Sequence, residues 1–72
     1  MPKLYSAREI VVRLTRIGFM KVSQKGSHIK MRGIRDGKLQ TAMIPDHKEI
    51  ALGTLGSILK QASITKKEID EA

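Results

Sequence analysis

The chain has 72 residues, enough for one small core and no second one, which excludes large multi-domain enzymes. Its 14 Lys and Arg outnumber 7 Asp and Glu for a formal charge of +7, while 40% hydrophobic residues still suffice for a core; a folded basic domain remains, not a disordered basic tail. There is no cysteine, so disulfides, thiolate metal sites and cysteine nucleophiles are excluded together, as suits a reducing cytoplasm.

Ser6 and Glu9 have the spacing of a capping box, so a helix is predicted to start there. Ile10, Leu14 and Ile17, with Val11 beside them, form its apolar stripe; Arg8, Arg13 and Arg16 fall elsewhere around it, and Gly18 closes it. Phe19 to Gln24 reads as a strand with Met20 and Val22 on alternate positions, ending at the turn signal Lys25-Gly26-Ser27. Strict alternation in His28-Ile29-Lys30-Met31-Arg32 predicts a second strand, with Ile29 and Met31 on one face and His28, Lys30 and Arg32 on the other. Gly33 to Lys38 is the expected hairpin loop, and Leu39 to Ile44 a third strand ended by Pro45. Asp46 to Ala51 reads as a turn. From about Leu52 to Ala62 the stripe Leu55, Ile58, Leu59 and Ala62 predicts a second helix, in which a close contact would account for Gly56. Thr65 and Glu68 form another capping box, for a short terminal helix anchored by Ile64 and Ile69. The expected class is α+β: two layers in the order α-β-β-β-α plus a short helix, with the helices on one face of a three-stranded antiparallel meander and the other face open.

The charge is uneven. Residues 1–35 hold nine basic residues and one acid, a balance of +8; residues 36–72 hold five basic and six acidic ones, a balance of −1. Such a basic face attracts polyanions, nucleic acid before membrane, because no segment joins a basic stripe to a large apolar insertion face. The plainer alternative is a merely solvated surface. No apolar run approaches the length of a spanning helix, and the first residues lack a signal-peptide core, so a soluble, cytoplasmic protein is expected.

Gly18-Phe19, Gln24-Lys25-Gly26-Ser27-His28, Ile44-Pro45-Asp46-His47, Gly53-Thr54-Leu55 and Ile58-Leu59-Lys60-Gln61-Ala62, in this order and spacing, resemble the HicA toxins of type II toxin–antitoxin systems. The resemblance spans about Ser6 to Glu68. It implies a fold like that of double-stranded-RNA-binding domains. It also implies a ribosome-independent endoribonuclease that cuts messenger RNA and is held inactive by a HicB-type antitoxin. The family's functional histidine falls on His28. Two positions depart from the family pattern: Gly56, where relatives often carry a basic residue, and Ser63, where glycine is common after the second helix.

RNA supplies its own nucleophile, the 2′-hydroxyl. Cleavage therefore needs a base beside it, a proton donor for the departing 5′-oxygen, and positive charge near the phosphorus, with no obligatory metal. Imidazole is the side chain that changes charge near neutrality, so His28 fits either proton-transfer role. Lys30 and Arg32 on its face suit phosphates, as does Lys25 in the turn before it. Gly26 lets backbone approach a phosphate or simply makes the turn. Ser27 hydrogen-bonds a phosphate or finishes that turn. His47 is a second acid or base if its loop reaches His28, and otherwise a turn residue beside Asp46; in that case Lys25 or Lys30 takes the second role. Gly53-Thr54 offers either amides for phosphate or an N-terminal cap.

No cofactor is expected. The two histidines lack metal-ligand spacing, and glycine-rich nucleotide loops and serine triads are absent. The four methionines read as core filler, and with Phe19 in the core only Tyr5 is left for base stacking. The alternative to a ribonuclease is a non-catalytic RNA-binding module reading A-form shape, and a third reading has the basic face receive an acidic antitoxin.

Overall fold

A computed structural model describes residues 4–72. The elements run α1 (Ala7–Ile17), β1 (Met20–Lys25), β2 (His28–Arg35), β3 (Lys38–Pro45), α2 (Leu52–Ala62) and α3 (Lys66–Glu71). The sheet order is β1-β2-β3 with both pairings antiparallel, the expected meander. Met1 lies outside the described residues, as does Lys3.

Both capping boxes form. Ser6 Oγ accepts from the Glu9 amide at 3.1 Å while Glu9 Oε1 accepts from the Ser6 amide at 3.0 Å, and Thr65 and Glu68 repeat the exchange on α3. Gly18 ends α1 with a left-handed φ of 118°, so that its amide and that of Phe19 both donate to the Leu14 carbonyl. Helix α2 differs from expectation at its start: Ala51 occupies the cap position and no side chain caps it, so Thr54 lies inside the first turn. Nor does Gly56 serve a close contact, since a Cβ there would meet nothing within 4 Å.

The core lies between the helices and one sheet face. Ile10 and Leu14 of α1, Ile29 and Met31 of β2, Ala42 and Ile44 of β3, and Leu55, Ile58, Leu59 and Ala62 of α2 are all buried, joined by Phe19, Ile50, Ile64 and Ile69. The alternation predicted for β2 is therefore real, and it continues further than expected. Gly33 is not in the loop: it is a strand residue beneath the Phe19 ring, where a Cβ would stand 2.7 Å from Cγ. The loop shrinks to Asp36-Gly37, both with positive φ, the pattern of a type I′ hairpin turn.

Strand β1 is exposed along its whole length. Between Lys21 and Ser23 its register with β2 shifts, leaving Val22 as the extra residue of a bulge. Lysines and a bulge suit an edge strand, because both discourage pairing with another chain. The opposite edge is covered: Gln61 of α2 accepts the Met43 amide at 2.9 Å. Of the described methionines only Met31 is core, and Met20 and Met43 face solvent. A sheet with helices on one face cannot bury residues that alternate onto the other.

Arg13 and Arg35 are drawn inward to hold α3. Arg13 Nη1 donates to the carbonyls of Ile69 and Asp70, each at 3.0 Å, and Arg35 pairs with Glu68. Tyr5 lies beneath the Arg13 guanidinium, 4.8 Å from its ring centre, and its hydroxyl donates to Asp70, which also pairs with Lys66. No helix among the described residues is long and apolar enough to cross a membrane.

Candidate functional site

The open sheet face follows from register. Paired residues project to the same side, so Lys25, His28 and Pro45 form one row, Ser23, Lys30 and Met43 the next, then Met20, Arg32 and Thr41, then Ile34 and Leu39. His28 opens the central strand and is exposed, flanked in register by Lys25. Lys30 and Arg32 continue along the same strand, spaced about 7 Å apart by its rise. The structure thus unites Lys25, His28, Lys30 and Arg32 on one surface. Arg32 is steadied there, its Nε donating to Thr41 Oγ1 at 3.2 Å, whereas the His28 ring has no hydrogen-bond partner among the described residues.

Gly26 and Ser27 form the two-residue turn ahead of His28. Only Gly26 has positive φ, 57°, which matches a type II′ hairpin turn with glycine first. A Cβ on Gly26 would meet nothing within 4 Å, so conformation and not crowding requires glycine. The Ser27 carbonyl accepts the Asp46 amide at 2.6 Å and so ties the turn to the segment after β3.

His47 belongs to that segment, and its backbone is tied on two sides. Its amide donates to the Pro45 carbonyl and its carbonyl accepts the Ala7 amide, both at 2.9 Å, while the Ile50 amide donates to Tyr5. These bonds fasten residues 46–50 to the start of α1. His47 lines a depression with Ser6, Arg8, Asp46 and Lys48 to which His28 does not contribute, and no hydrogen bond joins the two histidines among the described residues. No group of three or more His, Asp or Glu side chains is clustered as metal ligands among the described residues.

The family model described as HicA toxin of bacterial toxin–antitoxin matches residues 7–64, from the first turn of α1 to just past α2. The chain belongs to the HicA toxin family. Membership makes it the toxin of a toxin–antitoxin pair, with an antitoxin as its kind of partner. No curated protein matches the sequence. The matched span holds the whole His28 face of the toxin and leaves α3 outside.

Sequence reasoning missed what lies at the far end of that face. Met20, Val22, Ile34 and Leu39 line a depression of about 470 Å³ together with Arg32. Ile34 had been assigned to a loop because Gly33 reads as a turn residue. Extending the β2 alternation two residues would have put Ile34 on the side of His28.

Proposed function

We propose that this toxin is a ribosome-independent endoribonuclease that cleaves messenger RNA, using His28 as general acid–base, and that a HicB-type antitoxin neutralises it. One observation carries the reading: an exposed histidine opens the central strand beside Lys25, with Lys30 and Arg32 in line along the same open face. The nearest cations hold the scissile phosphate and stabilise charge developing on its oxygens. One basic group removes the 2′-hydroxyl proton as the 2′-oxygen forms its bond to phosphorus, and the bond from phosphorus to the 5′-oxygen breaks. An acid protonates that oxygen, leaving a 2′,3′-cyclic phosphate and a 5′-hydroxyl. His28 takes one of these proton transfers. Lys25 or Lys30 takes the other, or His47 does if its side chain reaches the same phosphate. Gly26 and Ser27 shape the turn over which the RNA backbone passes. No step calls for a metal or cofactor, and the substrate is cytoplasmic RNA.

No described residue hydrogen-bonds the His28 ring to orient it, which favours the second reading, a non-catalytic RNA-binding module. Cleavage of a defined transcript with excess EDTA, comparing the wild type with His28→Ala, separates the two. The ribonuclease predicts chelator-resistant cutting with cyclic-phosphate ends, lost in the variant while RNA binding persists. Intact RNA in both reactions, alongside salt-sensitive binding, refutes the catalytic reading. Lys30→Ala should weaken RNA binding across sequences and flatten its dependence on log salt by about 0.7, the share of one phosphate contact on a single strand.

A further inference from the structure

The open face has two unlike ends. One carries His28 and its cations; the other is apolar, with Met20 and Ile34 each 71% exposed and Leu39 63% exposed. These side chains are contiguous. Ile34 and Leu39 are cross-strand partners, Met20 lies in the adjacent row opposite Arg32, and Val22 completes the wall. Their outward aim is imposed by the core, because Gly33 lies under Phe19 and a register slip would drive a side chain into that ring. Single exposed apolar residues are ordinary, but a joined group with a charged margin marks a surface that another molecule covers. Here Lys21 and Arg32 supply that margin.

We infer that this apolar end is the anchor for the antitoxin, adjoining the residues that act on RNA and sharing Arg32 with them. The occupant is an acidic antitoxin segment carrying branched or aromatic apolar side chains beside carboxylates. Charge complementarity supports it, since the chain bears +7 and cations both line the depression and run from it toward His28. RNA fits the depression less well. Bases stack on aromatic side chains, and Phe19 is buried while Tyr5 is engaged between α1 and α3. Ile34 and His28 are six residues apart on β2, about 20 Å at strand rise, so a segment of some six extended residues seated on Ile34 reaches the histidine. Neutralisation then comes from covering His28, while affinity comes from the apolar end.

The inference rests on the antitoxin partnership proposed above but not on the ribonuclease chemistry, and its test keeps the two apart. The double variant Ile34→Thr/Leu39→Thr retains β-forming residues at exposed positions and should melt near the wild type. Affinity for the purified cognate antitoxin, measured by calorimetry without RNA, should fall on the order of 30-fold, as when an interface hot spot is removed. RNA cleavage by the free variant should stay within about twofold, while neutralising it takes proportionately more antitoxin. Unchanged antitoxin affinity overturns the inference, and so does a loss confined to RNA binding, which would assign the patch to RNA. Met20→Lys, on a different strand, tests the same depression if the double variant does not fold. If the wild type cuts no RNA, the calorimetric comparison still decides the anchor.

Discussion

Replacing Gly33 with alanine pits strand propensity against one aromatic ring. Gly33 does not have positive φ, so alanine fits its backbone, and relief of the glycine entropy cost would by itself stabilise the strand by about 0.5–1 kcal/mol. Against this, the new Cβ would lie 2.7, 2.8 and 2.9 Å from three Phe19 ring carbons, about 1 Å inside the optimal carbon–carbon separation. The ring has little room to retreat: Phe19 is 1% exposed, and Gly33 sits on the central strand in register with Gln40. Overpacking of this kind costs about 1–3 kcal/mol, and three ring carbons inside 3 Å put it at about 2–3; offset by about 1 kcal/mol of glycine relief, the net destabilisation is about 1–2 kcal/mol. In a domain this small that lowers Tm by roughly 5–15 °C. Circular dichroism during thermal and urea unfolding measures it, with an unchanged urea slope showing that stability changed while the surface exposed on unfolding did not. Adding Phe19→Leu should make the double variant more stable than the sum of the single losses implies. A Gly33→Ala protein as stable as the wild type would refute the reasoning.

Two substitutions, one in α2 and one at its C-cap, should stabilise the chain, in opposite chemical directions. Gly56→Ala fills open space in the helix interior and gains about 1 kcal/mol, whereas Ser63→Gly relieves a left-handed residue, φ 60°, and gains about 1 kcal/mol; urea midpoints measure both. The attachment of α3 should fail at both ends of the pH scale. Glu68 is held below the ordinary carboxylate range chiefly by the Thr65 amide, with Arg35 assisting, and Asp70 by its bonds from Lys66 and Tyr5. Depressed carboxyls contribute above their unfolded pKa, and that contribution disappears as pH falls through the lower folded values. Tyr5 is raised, mainly by its hydrogen bond to Asp70, so its contribution is complete below the ordinary phenol pKa and goes as pH climbs through the raised value. Tyr5 is the only tyrosine in a chain without tryptophan, so its near-ultraviolet dichroism reports α3 directly. A signal unchanged through the carboxylate range would count against the acid arm.

What was legible in the sequence follows the range of the interactions concerned. Ser6 with Glu9 and Thr65 with Glu68 are contacts three residues apart, and both appeared as predicted. The β2 alternation likewise put His28, Lys30 and Arg32 on one face, because a strand's sidedness is a local property. The errors concern residues whose roles are set from afar. Gly33 reads as a turn until Phe19, fourteen positions earlier, is placed above it, and nothing local marks Val22 as a bulge. Arg13, Arg16 and Arg35 counted toward a basic field, but their partners are in the last residues of the chain. Spacing leaves the place of His47 open, and a bond from the Ala7 amide to its carbonyl fixes its backbone path. Ser63 was noted as a departure from glycine, and the left-handed backbone there supplies the reason glycine is common.

The terminal helix works as a built-in counterion. Arg35 is neutralised by its Glu68, and Arg13 and Arg16 donate to carbonyl oxygens at the end of the same short segment. A polyanion approaching the toxin therefore meets one arginine already paired with a carboxylate and two already hydrogen-bonded, so fewer free guanidinium groups than a count of lysines and arginines implies. Shortening the chain before Lys66 would unmask three guanidinium groups behind the sheet. The charge available to a polyanion thus depends on a segment of seven residues, 66–72, that lies away from the open face.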